Sequence, residues 1–341
     1  MDYESLQILW FVLIAGLWIG FFFLEGFDFG VGMLLPFLGR NDVERRAIIN
    51  TIGPVWDANE MWLILAITSM FAVFPNWYAT MLSGFYLIMV IIIVGLIIRG
   101  ISFEYRSKDS RPQWRGRFDW MIAVGSFINS FLFGILFTDL LGGVPINQNM
   151  VYTGGAFSWI TLYGLIGGLT MVCVFLLHGA NFLTLKLEDD LRERARAISK
   201  LLYVFAALMV VTLAITTYIF TDITLQVGIN PGVLPIASVA VLLTTIYFIN
   251  RNMEGWAFVM TGAHIVLTQV AFFTLMFPRL MISSLNPAWS LTIYNSSSSP
   301  QALTVMSVIS LIFIPIVLAY EGWSYYIFRK RIKADKEHLV Y

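Results

Sequence analysis

Glu25-Gly26-Phe27-Asp28-Phe29-Gly30 closes the first long apolar run of the chain, and Trp56-Asp57-Ala58-Asn59-Glu60-Met61-Trp62 opens the second. Between them lies a basic turn carrying Arg40, Arg45 and Arg46. Two carboxylates end one hydrophobic segment and two more begin the next. If the segments cross a bilayer, four acids sit where charge is least tolerated. The nature of the runs therefore decides both the fold and the meaning of the acids.

The 341 residues are 58% hydrophobic, 16% aromatic and 12% charged, with a mean hydropathy of +0.78. Soluble domains carry about 25% charged residues, so the chain belongs in a membrane. Runs of about 20 residues, enough for ~30 Å of hydrocarbon, fall at 8–36, 55–74, 78–98, 119–141, 157–183, 198–220, 233–250, 256–277 and 302–328. These predict an all-α polytopic integral membrane protein with about nine transmembrane helices. The expected layout is two four-helix bundles plus a peripheral helix, in a single membrane domain over 1–341. Pro75-Asn76-Trp77 alone separates the second and third runs and predicts a tight helical hairpin. The start, Met1-Asp2-Tyr3-Glu4-Ser5, has no basic segment, and the run after it is too long for a cleaved signal.

Orientation follows from Lys and Arg asymmetry. With the N-terminus outside, every one of the 21 basic residues except Arg279 falls on an inner connection or in the C-terminal tail. The C-terminus is then cytoplasmic. The outer connections 142–156, 221–232 and 278–301 are short and poor in charge, and the run Asn295-Ser296-Ser297-Ser298-Ser299-Pro300 is expected to be a flexible, solvated link. Glu25-Gly26-Phe27-Asp28 is echoed by His178-Gly179-Ala180-Asn181, each tetrad ending a span before a basic turn. The echo suggests an internal duplication relating 1–150 to 151–341, a common device in membrane proteins.

Glu25 and Asp28 are three residues apart and share a helix face. By depth they fall in the inner half of the membrane. Gly26 with Gly30, and Gly16 with Gly20, form small-xxx-small pairs that let another helix approach closely. Asp57 and Glu60 share a face in the same way, near the start of the second span. Acids at a helix N-terminus also offset its dipole, so physics alone leaves a cap and a functional pair both open there. Four acids on two helices joined by an inner turn form a carboxylate cluster open to the inner side. Carboxylates clustered away from water carry protons near neutral pH. No Lys or Arg is expected inside a span to pair with them.

Other chemistry is sparse. The one cysteine, Cys173, excludes a disulfide framework. His178 and His264 lie in separate spans, His338 lies in the tail, and the 15 methionines read as packing, so no haem-ligand set and no metal site is expected. Glu321 is expected to reach the interface or pair with a tail cation. The cation-rich turn 99–117 reads as a topology signal, and no phosphate-binding loop, catalytic triad or nucleic-acid module is present.

The motifs Gly26-Phe27-Asp28-Phe29-Gly30-Val31-Gly32, Gly39-Arg40-Asn41-Asp42, Glu44-Arg45-Arg46 and Trp56-Asp57-Ala58-Asn59-Glu60-Met61-Trp62-Leu63 resemble subunit II of the cytochrome bd quinol oxidases. Phe103-Glu104-Tyr105-Arg106-Ser107-Lys108, Trp256-Ala257-Phe258 and Phe277-Pro278 extend the likeness over essentially the whole chain. Glu25 stands where relatives often have Asp, and Ala58 where glycine is usual. The resemblance implies a heterodimer with a subunit I that holds two b-type haems, one d-type haem and the quinol site. Such a complex oxidises quinol and reduces O2 to water, taking protons from the cytoplasm without pumping. This chain is then haem-free, stabilises subunit I and contributes to proton entry through Asp57, with Glu25, Asp28 and Glu60 as neighbours on the path. Trp62 borders an oxygen path or simply packs. A bound quinone or lipid and a small single-span accessory subunit also fit the family, in a bacterial or archaeal cell membrane. The competing readings are a proton-coupled secondary transporter, which would hold a midplane site at broken helices, and a purely structural assembly subunit.

Overall fold

The structure is a computed structural model that describes residues 2–222, 232–334 and Leu339. Lys336, His338 and most of the expected connection 221–232 lie outside the described residues. Among the described residues eleven helices dominate: α1 (Tyr3–Leu38), α2 (Asp42–Ile52), α3 (Trp56–Val73), α4 (Pro75–Gly84), α5 (Tyr86–Tyr105), α6 (Pro112–Gly142), α7 (Leu162–Lys186), α8 (Asp189–Phe220), α9 (Val233–Asn250), α10 (Glu254–Met276) and α11 (Pro300–Ile327). A small antiparallel pair, β1 (Arg279–Met281) with β2 (Leu291–Thr292), lies between the last two helices.

Eight of the helices are long and apolar enough to cross a membrane. The second expected span coincides with α3, whose 18 residues carry Asp57, Asn59 and Glu60 in the first two turns and are correspondingly less apolar. The hairpin predicted at 75–77 is not a loop. Residues 75–84 form their own short helix, started by Pro75 at its first position, where a missing N–H costs nothing. The third run, 78–98, is therefore divided between α4 and α5. The first run is one continuous helix of 36 residues, its start capped by the Asp2 side chain on Ser5 N–H.

Helices α1, α3, α5 and α6 pack together, as do α7, α8, α9 and α10, while α1, α6 and α7 form the wall between the two groups. Two kinds of contact build that wall. Aromatic rings of α1 meet those of α6 edge-on, Phe22 and Phe137 having centroids 4.7 Å apart. Backbones meet directly where glycines allow it. A Cβ on Gly30 of α1 would overlap Phe175 O and lie 2.9 Å from Gly179 Cα of α7, and one on Gly134 of α6 would lie 2.6 Å from Gly168 Cα. Gly20 faces the Trp62 ring of α3, whereas Gly16, its expected partner, meets nothing within 4 Å. Of the four glycines in the two expected pairs, Gly30 is the one that admits another helix backbone, while Gly26 meets the side chains of Phe175 and Ile265.

The last helix is set apart. Only 6% of the apolar window of α11 is buried, against 67% in α6. It is anchored to α1 at one end, where Trp10 Nε1 donates to Leu303 O (3.2 Å) and Ser307 Oγ (2.9 Å). The serine run before it is not a free link. Ser297 Oγ accepts from Gln7, Ser298 O accepts from the Tyr3 hydroxyl, Ser296 is fully buried, and Ser299 caps α11. Composition alone reads as solvated here because the anchoring partners are nearly 300 residues away.

A cavity of about 540 Å³ opens among α6 to α10, lined mostly by apolar side chains such as Met171, Ala214, Val239 and Phe272. Its few polar groups include His264 and Gln269. Ser238 Oγ bonds both His264 Nδ1 (2.9 Å) and Thr268 Oγ1 (2.7 Å), while Gln269 Oε1 is buried without a hydrogen bond.

Candidate functional site: a carboxylate cluster around Arg99

The acids are not left without a cation. Arg99 is fully buried in α5 and reaches three carboxylates on two other helices. Its Nη2 donates to Asp28 Oδ1 at 2.7 Å and its Nη1 to Glu60 Oε1 at 2.6 Å, and Nη1 lies 3.6 Å from Glu25 Oε2. The guanidinium is packed between the rings of Phe29 and Phe103, each centroid 5.0 Å away, an arrangement that favours a cation over an aromatic face. This corrects the expectation that no basic residue lies inside a span. The sequence places Arg99 in the basic turn 99–117 because the apolar run 78–98 stops just before it. Helix α5 continues to Tyr105, with Phe103 buried, so Arg99 falls more than a turn inside the helix.

The cluster extends sideways. Asp28 Oδ2 accepts from Asn59 Nδ2 at 2.7 Å, and Asn59 Oδ1 accepts from the Tyr325 hydroxyl of α11 at 2.7 Å. One turn away on each helix, Trp62 Nε1 donates to Glu321 Oε2 at 2.9 Å. Glu321 is buried and faces this indole, so it neither reaches an interface nor pairs with a tail cation as expected; its other oxygen makes no hydrogen bond. Glu25 is likewise buried with neither oxygen hydrogen-bonded. Glu60 is the more open member, with 19% of its side chain exposed.

Glu25, Asp28 and Glu60 are thus brought together, and Asp57 is not. It is exposed on α3 and makes no hydrogen bond or ion pair among the described residues. Three groups absent from the sequence expectation complete the site: Arg99, Asn59 and Tyr325. The clue for Arg99 was the apolar pattern resuming at Ile101 and Phe103. Nothing local marked Tyr325, which arrives from 266 residues away. Trp62 packs its ring on Gly20 as well as bonding Glu321.

The charge balance says what the arrangement can do. One guanidinium offsets one carboxylate, whereas three surround it in a place with little water. Holding all three ionised is costly. The cluster lies ten residues of α1, about 15 Å at 1.5 Å per residue, from the helix end where the basic residues gather.

That end is itself laced by ion pairs. Asp119 is fully buried between Arg45 (3.0 Å) and Arg106 (2.6 Å), and Asp42 bridges Arg106 and Arg115. Glu254 gathers Arg192, Arg196 and Arg331. Glu44 bonds Arg194 at 2.8 Å and accepts from Arg40 N–H at 2.7 Å. Burial alone would raise the Glu44 carboxyl, but these two donors outweigh it and hold it below its usual value. Much of the basic character of the turn 99–117 is therefore spent on internal partners.

The histidines stand apart from this site. His178 Nδ1 bonds Thr261 Oγ1 at 2.8 Å and its ring stacks on Phe258, 4.6 Å between centroids. Among the described residues no three His, Cys, Asp or Glu side chains gather as a metal site.

The family model for cytochrome bd terminal oxidase subunit II matches residues 6–328. The chain belongs to that family. It is 43% identical to cytochrome bd ubiquinol oxidase subunit 2 of Bacillus subtilis over 337 residues, covering 99% of each chain. It is 35% identical to cytochrome bd-I ubiquinol oxidase subunit 2 of Escherichia coli K12 over 371 residues, covering 99% of this chain and 98% of the relative. Its fold is similar to a chain in the structure of the bd oxidase from Geobacillus thermodenitrificans, with a TM-score of 0.77 at 19% identity, covering 95% and 97% of the two chains. The protein is therefore a multi-pass membrane subunit of an oxidoreductase complex, made to work beside a subunit I. Membership of this family decides against the transporter reading.

Proposed function

We propose that the chain is the haem-free subunit II of a quinol oxidase that reduces O2 to water, and that it supplies a proton entry route while stabilising the haem-bearing subunit I. In this proposal the two b-type haems, the d-type haem and the quinol site belong to subunit I. Protons are taken from the cytoplasm without pumping, the N-terminus faces outward, and the basic end faces the cytoplasm of a bacterial or archaeal cell. The observation that carries the proposal is the buried Arg99 ringed by Glu25, Asp28 and Glu60. A purely structural interface needs no excess of carboxylates over cations in the fold's interior; a proton route does.

Subunit I is proposed to dock where α3, α5 and α11 present exposed apolar side chains, including Ile64, Phe71, Ile93, Ile97 and Phe313. Asp57 lies on α3 beside this face, which suits it to the mouth of the route or to a polar contact with the partner. The exposed faces of α8 and α9 are left to lipid and to a small single-span accessory subunit. The one membrane domain is read as a duplication of 1–150 in 151–341, a reading that rests on the echo of the tetrad 25–28 in 178–181.

Glu25→Gln and Asp57→Asn test the route in the purified complex. Each is expected to keep normal haem content and to slow quinol-dependent O2 uptake and voltage generation about tenfold, equivalent to ~1.4 kcal/mol on the barrier. Unchanged rates in both variants, with haem intact, would remove the proton role and leave assembly alone.

The cavity among α6 to α10 is proposed to hold a quinone or a lipid tail, since it is apolar with a few convergent polar groups. Ala214→Trp is expected to deplete that molecule from a solvent extract of the complex, read by mass spectrometry. An extract identical to wild type would leave the cavity without an occupant.

A further inference from the structure

Helix α11 brings a fourth carboxylate to the cluster, and its surroundings differ from those of the other three. Glu321 and Tyr325 are four residues apart and share one face of the helix. They meet Asn59 and Trp62, three apart on α3, through two parallel hydrogen bonds of 2.7 and 2.9 Å. The Tyr325–Asn59 bond continues to Asp28, and so to Arg99. The other three carboxylates lie within 3.6 Å of that guanidinium, and no ion pair reaches Glu321 among the described residues. Glu321 is 8% exposed, and its Oε1 is buried with no hydrogen bond. It sits on the helix that is least buried in the fold.

We propose that Glu321 is a proton-relay group that takes protons from the Arg99 cluster and delivers them to the partner subunit across α11. This rests on the proton-entry function proposed above and adds its exit. If Glu321 served only to hold α11 on α3, an amide oxygen would accept from Trp62 equally well, and the second oxygen would need no titratable proton. A carboxyl with one oxygen engaged and one idle can instead take a proton on Oε1 while Trp62 keeps Oε2 in place. The proton arrives from Glu25, Asp28 or Glu60 and leaves to an acceptor on subunit I, and no electron moves. The titratable or charged groups facing this chamber are Glu25 and Asp28 of α1, Glu60 of α3, Arg99 of α5 and Tyr325 on the same helix as Glu321. Tyr325 is a positioning residue, orienting the Asn59 amide so that its Nδ2 donates to Asp28.

Glu321→Gln separates the two roles, because glutamine keeps an acceptor for Trp62 and removes the proton. In the purified complex, E321Q is expected to retain haem content and partner association. Its turnover and voltage generation should fall severalfold, with an altered pH profile of O2 uptake, and E321D should recover part of the loss. Normal rates in E321Q alongside impaired E25Q would overturn the exit and leave the entry route standing. Normal rates in both overturn the exit, and with D57N also normal they overturn the entry route as well. If E321Q does not assemble, E321D decides: a relay shortened by one methylene slows turnover with haem intact, whereas a wild-type rate and pH profile overturns the proposal.

Discussion

Arg99→Leu is expected to abolish accumulation of a stable, haem-loaded complex. The substitution leaves Glu25, Asp28 and Glu60 facing one another with no cation, two of them fully buried. Removing one partner of a buried ion pair costs roughly 3–5 kcal/mol, a large part of the 5–15 kcal/mol that holds a typical domain folded. The effect should be undone from the acid side. R99L combined with E25Q and D28N removes two of the stranded carboxyls and is expected to restore assembly and the haem spectrum without restoring turnover. R99K is expected to fall between, since an ammonium lacks the planar fork that serves Asp28 and Glu60 together. Thermal melting of the detergent-purified complex, followed by its visible spectrum, reads all three. A wild-type melting temperature in R99L would mean that the guanidinium is not the counter-charge of this cluster.

Gly30→Ala is the second large effect. A methyl group at Gly30 meets a carbonyl oxygen and the backbone of Gly179 in α7, and neither is a flexible side chain that can swing away. Helices α1 and α7 must separate. Overpacking a well-filled site costs about 1–3 kcal/mol and sometimes more, and here the shift carries Asp28 and Glu25 with it. G30A is expected to lower the yield and melting temperature of the complex. Gly16→Ala on the same helix, where nothing lies within 4 Å, is expected to do neither. Equal behaviour of the two variants would show that the helix crossing is looser than described.

These two positions also mark how far a sequence speaks for itself. Apolar runs and basic asymmetry are properties of one segment at a time, so the membrane class and most of the long helices were legible, though not the break between α4 and α5. The four acids were legible for the same reason, as charges interrupting grease. Their counter-ion was not, because Arg99 sits at the boundary that the apolar run itself defines. Gly16 and Gly30 look alike in spacing, and only the neighbouring helix tells them apart. Asp57 and Glu60 share a spacing argument but point differently, one outward and one to Arg99, which helical periodicity cannot resolve without knowing the partner face. Tyr325 and Glu321 belong to the site only through the return of α11 to α3, a tertiary event with no local mark. The serine run at 295–299 failed in the same way, its partners lying at the far end of the chain.

The single guanidinium also imposes an order on biogenesis. Helices α1 and α3 leave the ribosome carrying Glu25, Asp28 and Glu60, well before residue 99 is synthesised. Until α5 enters the bilayer, those acids have neither water nor a cation, so the first hairpin is poorly tolerated in lipid on its own. Arrival of Arg99 locks three helices in one step. The N-terminal third of the chain is therefore expected to insert as one unit. A nascent chain stalled before α5 leaves all three acids without a cation, whereas one stalled after it holds them around Arg99.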